Sequence, residues 1–88
     1  MHTIMTAEET IRTGGRDITV SYELLEDSEG GESRYGVSAE NQNTGERAEI
    51  GDITSVRARA EQFFNLLIVG QVTPVTLRDA AEDFVADF

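Results

Sequence analysis

The chain has 88 residues, 39% of them apolar and 27% charged, with 17 acids against 7 basic residues and a net charge of −10. That length holds one domain, which buries only about 60 to 70% of the surface its unfolded chain exposes and has little room for an enclosed active site. All seven basic residues are Arg and no Cys is present, which excludes Schiff-base chemistry, a thiolate nucleophile, disulfides and sulfur-ligated zinc. Duplex DNA and anionic membranes repel such a surface, so a basic partner or an uncharged contact is the better expectation.

Residues Thr6 to Thr13 alternate poorly, but Gly14-Gly15 after them suits a tight hairpin turn, so the N-terminal segment, residues 1–12, is expected either as a first, weak strand or as flexible chain. Ile18, Val20, Tyr22 and Leu24 alternate with Asp17, Thr19, Ser21 and Glu23, the period of a strand with one buried face. The stretch from Glu26 to Glu32 has no apolar residue and two glycines and reads as an exposed, mobile hairpin connection. Tyr35, Val37 and Ala39 predict a third strand, with Gly36 marking a bulge or a close packing approach. Asn43-Thr44-Gly45 predicts a turn before a short fourth strand, Arg47 to Ile50.

The period turns helical after Asp52. Thr54 is the expected N-cap, Val56, Ala60, Phe63, Phe64 and Leu67 form the inward stripe, and Gly70 is the expected left-handed C-terminal cap. A second helix is expected from Thr73 as N-cap and Pro74 at the first helical position, with Leu77, Ala80, Ala81, Phe84, Val85 and Phe88 on one face. The predicted fold class is therefore α+β: an antiparallel meander of three or four strands followed by a C-terminal helical hairpin, ββββαα, in a single domain over 1–88. The expected core is Val20, Tyr22, Leu24, Val37, Ile50, Val56, Phe63, Phe64, Leu67, Leu77, Ala81, Phe84 and Val85.

Candidate chemistry is sparse. His2 is the only imidazole and is expected as a solvated tail residue. The acidic stretch Asp27 to Glu32 matches a calcium loop in composition but not in ligand spacing, and a solvated hairpin tip accounts for it. Asp79, Glu82, Asp83 and Asp87 share one side of the second helix, where the polar half of an amphipathic helix explains them. The glycines form no phosphate-binding pattern. Residues 1 to 53 carry 12 acids against 4 Arg, net −8, and residues 54 to 88 carry 5 against 3, net −2.

One feature exceeds what a core requires. Leu66 and Val69 point nearly opposite to the stripe of Phe63, Phe64 and Leu67, so the end of the first helix is apolar around most of its circumference. Such a helix end is either sandwiched between the sheet and the second helix or caps an interface with another chain; for the second alternative Leu66, Val69 and Phe88 are the candidate interface residues, on a surface that self-associates or meets a protein partner.

Tyr35-Gly36-Val37, Asp52-Ile53-Thr54, and Val72-Thr73-Pro74 followed by Leu77, Asp79, Glu82, Asp83 and Phe84 resemble a family of short bacterial proteins of unknown function, found mostly in clostridia. The resemblance covers roughly residues 20 to 87 and leaves the N-terminus and the acidic stretch outside. It implies the same architecture and no activity. Where the family often has Ile-Ser, this chain has Ile53-Thr54, a conservative difference for capping. Together these readings predict a non-catalytic, cytoplasmic interaction module without cofactor or metal, a homo-oligomer or the binder of a protein partner, with no nucleic acid or membrane contact. The alternative is an acidic decoy or inhibitor that occupies a basic, nucleic-acid-binding surface on another protein, and a calcium-binding regulator or carboxylate hydrolase comes last.

Overall fold

The computed structural model describes residues 2–86. Four strands, β1 (His2–Thr13), β2 (Arg16–Glu29), β3 (Glu32–Asn41) and β4 (Arg47–Thr54), form one antiparallel sheet in the order β1-β2-β3-β4. Two helices follow, α1 (Arg57–Val69) and α2 (Leu77–Ala86), giving the ββββαα order expected. β1 is a full strand of 12 residues and starts well before Thr6. Its weak alternation did not prevent this, because pairing with β2 from Arg16 to Glu26 supplies the ladder that its side chains do not demand.

Two-residue turns close the first two hairpins. Gly14 and Gly15 have φ of +57° and +79°, and Gly30 and Gly31 have +61° and +85°, the left-handed pairs that match the twist of hairpin strands. The second turn corrects the expectation of a mobile loop over Glu26 to Glu32. β2 runs on to Glu29 and pairs in register with β3 through Glu26↔Tyr35, Asp27↔Arg34 and Ser28↔Ser33, so only Gly30-Gly31 are turn. Cross-strand hydrogen bonding and the Asp27–Arg34 pairing hold an acidic sequence in a strand that its own composition does not favour.

Gly36 meets the strongest irregularity of the sheet. Pairing passes from Val37↔Ile50 to Tyr35↔Thr54, so β4 carries extra residues opposite Gly36, with Asp52 at φ +58°. A Cβ on Gly36 would lie 2.5 Å from the Ile50 carbonyl oxygen and 2.9 Å from the Gly51 Cα, which is the close approach that the glycine anticipated. The Arg34 guanidinium hydrogen-bonds the Asp52 carboxylate across this bulge.

Both helices pack on one face of the sheet, α1 across β2 and β3 and α2 against β4. The core on that face comprises Val20, Tyr22, Leu24, Val37, Phe63, Phe64, Leu67, Leu77 and Ala81, as expected, together with Ile11, Tyr35, Ala39 and Ala60. Ile50 and Phe84 pack against it while partly buried. Two expected core residues are not in it: Val56 is 52% exposed and Val85 44%. β4 continues through Thr54, so α1 begins at Arg57 and Val56 becomes its N-cap, outside the inward stripe. Val85 faces a shallow groove beside the β4 bulge, where α2 stands off the sheet.

The helix ends also differ from expectation. Thr54 caps nothing in α1; its hydroxyl accepts the Val56 N–H at 3.1 Å as the strand turns. Gly70 stays in the right-handed region at φ −81°, and Gln71 takes the left-handed position at φ +51°. Val72 N–H then bonds the Leu67 carbonyl and Gln71 N–H the Ile68 carbonyl, a Schellman closure one residue later than the glycine suggested. α2 begins at Leu77 rather than Pro74, because Thr73 to Thr76 close on themselves as a turn: Thr76 N–H bonds the Thr73 carbonyl, and the Thr76 hydroxyl accepts the Thr73 N–H.

Candidate functional site

The α1 sequence commits two sides of one helix to apolar residues. Ala60, Phe63, Phe64 and Leu67 recur at three and four and are buried on the sheet. That leaves Leu66 and Val69, three apart and therefore neighbours on one strip of helix surface, facing outward at 49% and 82% exposure. The Schellman closure then folds the chain back so that α2 runs beside α1, and the Phe63 and Phe84 rings stack at 4.8 Å with 25° between their planes. Above that stack lies a groove of about 240 Å³, walled by Leu66, Leu67, Val72, Ala80 and Phe84 with the Asp83 carboxylate on its rim.

Tyr22 fixes the floor of this arrangement. Its side chain rises from β2 through the core, and its hydroxyl donates to the Val72 carbonyl at 2.6 Å, tying the sheet to the connection between the helices. Burial, with the Glu9 carboxylate nearby, pushes its pKa from 10.0 up to about 12, so the phenol is a neutral donor at physiological pH.

The structure thus brings Leu66 to the mouth of a groove and sets Val69 one turn further along the same strip. Phe88, the third candidate, lies outside the described residues, as does Asp87. Val75, 72% exposed in the turn between the helices, is a further outward apolar residue that the sequence reading assigned to a helix. Its signal was present: it sits between Pro74 and Thr76, in a segment that closes as a turn and points its central residues out.

The opposite face of the sheet is polar. Glu23 stands at its centre, accepting from the Thr3 hydroxyl at 2.7 Å and the Ser38 hydroxyl at 3.1 Å, with Arg47 at 3.3 Å. The Thr3 hydrogen bond, then those of Ser38 and Arg47, hold the Glu23 carboxyl below its ordinary pKa against partial burial. Arg47 also reaches Glu49 at 2.8 Å and Glu40 at 3.9 Å. A shallow depression of about 530 Å³ with Glu8, Glu23 and Glu40 on its walls lies on this face.

His2 is not a loose tail residue. It begins β1, exposed, with Nε2 3.3 Å from the Glu26 carboxylate. Glu26 is held below its ordinary pKa by hydrogen bonds from Ser33 and then Tyr35. Asp79, Glu82 and Asp83 are exposed along α2. Among the described residues no group of three or more His, Cys, Asp or Glu is placed to hold a metal ion, and no helix is long and apolar enough to cross a membrane.

The chain belongs to a family of unknown function, DUF6514, whose model matches residues 1–87. The match takes in the N-terminus and the acidic stretch, which the motif resemblance had left outside. No curated protein and no solved structure matches the chain.

Proposed function

We propose that this member of the DUF6514 family is a non-catalytic, cytoplasmic interaction module that docks a protein chain, a partner or a second copy, on the apolar surface of its helical layer. The observation that supports it is the outward strip of Leu66 and Val69 beside the groove that Phe84 and Val72 line. Two large aliphatic side chains left in water at one helix end, next to a concave apolar wall, are the usual form of a small docking anchor. The surrounding acidity of α2 keeps the free module soluble and gives the rim a charge that a basic residue on the partner can meet.

The test pairs wild type with a Leu66→Glu/Val69→Glu variant. Both positions are exposed, so the variant keeps the same circular dichroism and urea midpoint. Binding of partner chains to the immobilised protein is lost in the variant. An undiminished set of bound chains removes the reading.

A second reading, the acidic decoy, draws on the carboxylates of Glu8, Glu23, Glu40 and Glu49 on the helix-free sheet face. It predicts capture of a basic protein that weakens steeply with salt and is indifferent to Leu66 and Val69.

A further inference from the structure

The two edges of the sheet are built differently. β4 has eight residues, is broken by the bulge at Gly51 to Ile53, and has α2 packed against it. β1 has 12 residues, no Pro and no Lys, and its only irregularity lies between Thr3 and Met5 at the far end. Edge strands of soluble proteins are normally shortened, bulged or studded with Lys and Pro to prevent pairing. β4 carries a bulge and a covering helix, whereas the segment from Thr6 to Thr13 is unbulged and carries only Glu8, Glu9 and Arg12, charges of both signs that a matching strand can pair.

The register states which backbone groups that edge presents. Thr13↔Arg16 closes a two-residue turn and is a hydrogen-bonded pair, so Ile11, Glu9, Ala7 and Met5 also bond inward to β2. Arg12, Thr10, Glu8 and Thr6 therefore turn their N–H and C=O groups outward.

We infer that β1 pairs antiparallel with β1 of a second copy of this chain, about a twofold axis at Thr10, to make one continuous eight-stranded sheet. The charge pattern selects this register. An antiparallel mate must oppose outward residues to outward residues, which restricts the choices to steps of two in the sum of paired numbers. One choice sets Glu8 against Glu8 and the next sets Glu9 against Glu9, both like-charge pairs. The following one sets Glu8 against the partner's Arg12 and Arg12 against the partner's Glu8, with Thr10 opposite Thr10 and Glu9 beside the partner's Ile11. Both members of the repeated charge pair lie on the helix-free face, where Arg12 is 82% exposed and pairs within its own chain with the exposed Asp17 at 3.0 Å. Because the axis is perpendicular to the sheet, both helical layers fall on the same side and the Leu66 strip of each copy is kept. Repulsion between the two −10 chains is screened beyond about 8 Å at physiological ionic strength and acts against the dimer mainly in dilute buffer.

The experiment is sedimentation of the full chain over a wide concentration range at physiological salt, for wild type and four variants. Wild type is expected to reach a dimer mass and stop there, since both inward edges are then paired. Thr10→Pro removes an outward N–H and no bond to β2, so it abolishes the dimer with unchanged circular dichroism. Glu8→Arg turns both cross-copy pairs into like charges and weakens association about tenfold; Glu8→Arg/Arg12→Glu restores it. Leu66→Glu/Val69→Glu leaves the dimer unchanged, which separates this proposal from the docking surface on the helices. A wild type that stays monomeric at every concentration overturns the inference. So does a dimer that survives Thr10→Pro, or one lost with Leu66 and Val69 instead. Should Thr10→Pro fail to fold, the charge exchange decides alone: no loss in the single variant, or no recovery in the double one, rejects the register.

Discussion

The Tyr22 hydroxyl and the Val72 carbonyl, 50 residues apart in the chain, meet at 2.6 Å and join the middle of the sheet to the turn between the helices. The bond gives the Val72 carbonyl a donor where the backbone leaving α1 turns over the core. It also sets the depth at which α1 and α2 rest on the sheet, and so the shape of the groove beside Leu66.

Tyr22→Phe is therefore expected to lower stability by about 1 to 2 kcal/mol, the cost of a partly buried carbonyl without its donor. The same residue gives an alkaline signature. Folding raises its pKa from 10.0 to about 12, so the stabilisation it contributes is whole below about pH 10 and is lost as pH rises through 12. Urea midpoints measured from neutral to strongly alkaline pH should fall across that window in wild type and less in Tyr22→Phe. An identical alkaline fall in both proteins would assign it to another group.

Gly36→Ala should be among the most damaging single-methyl changes in the molecule. The added carbon meets backbone, the Ile50 oxygen at 2.5 Å and the Gly51 Cα at 2.9 Å, and neither can rotate away. A loss of about 1 to 3 kcal/mol is expected, with the β4 bulge displaced. Amide hydrogen exchange would locate the change at Ile50 to Ile53; an unperturbed β4 would mean that the bulge is more compliant than its geometry states.

Both ends of α1 invite stabilising changes. Val56 sits at the N-cap with extended backbone, φ −101°, and no side-chain cap, and the first turn has no acidic residue. Val56→Asp supplies an acceptor for the orphan N–H groups and a charge of the right sign, for a gain of about 0.5 to 2 kcal/mol. Gln71→Gly relieves a side chain held at φ +51°, for a gain of about 1 kcal/mol. The positions are at opposite ends of the helix, so the two gains should add in urea denaturation of the double variant.

Glu23 should shape the acid limb. Its folded pKa lies below the ordinary 4.5, chiefly through the Thr3 hydroxyl and then through Ser38 and Arg47. Its contribution is present above pH 4.5 and disappears as pH falls through the lower folded value. Glu23→Gln is expected to be less stable than wild type at neutral pH and to show a shallower loss below pH 4.5. A parallel pH profile for the two proteins would show that Glu23 does not carry that limb.

Residue pattern alone was enough for the order ββββαα, the Gly14-Gly15 turn, the need for glycine at 36 and most of the core, because period, turn chemistry and apolar burial act over a few neighbouring residues. Leu66 and Val69 were legible as surplus apolar residues for the same reason: a helix wheel shows which side chains one layer of sheet cannot cover. Tertiary structure decided everything that depends on a distant strand. Acidic residues 26 to 29 became strand because β3 lies beside them, and β1 reached back to His2 because β2 was long enough to pair with it. The bulge of β4 moved the start of α1 to Arg57 and put Val56 in water, and the position of α2 left Val85 exposed. Composition excluded thiol and lysine chemistry without reference to any fold. Which apolar side chains and which strand edge stay uncovered depends on how the layers pack, and that emerges only when sheet and helices meet: Leu66 and Val69 outside α1, and β1 at the sheet's edge.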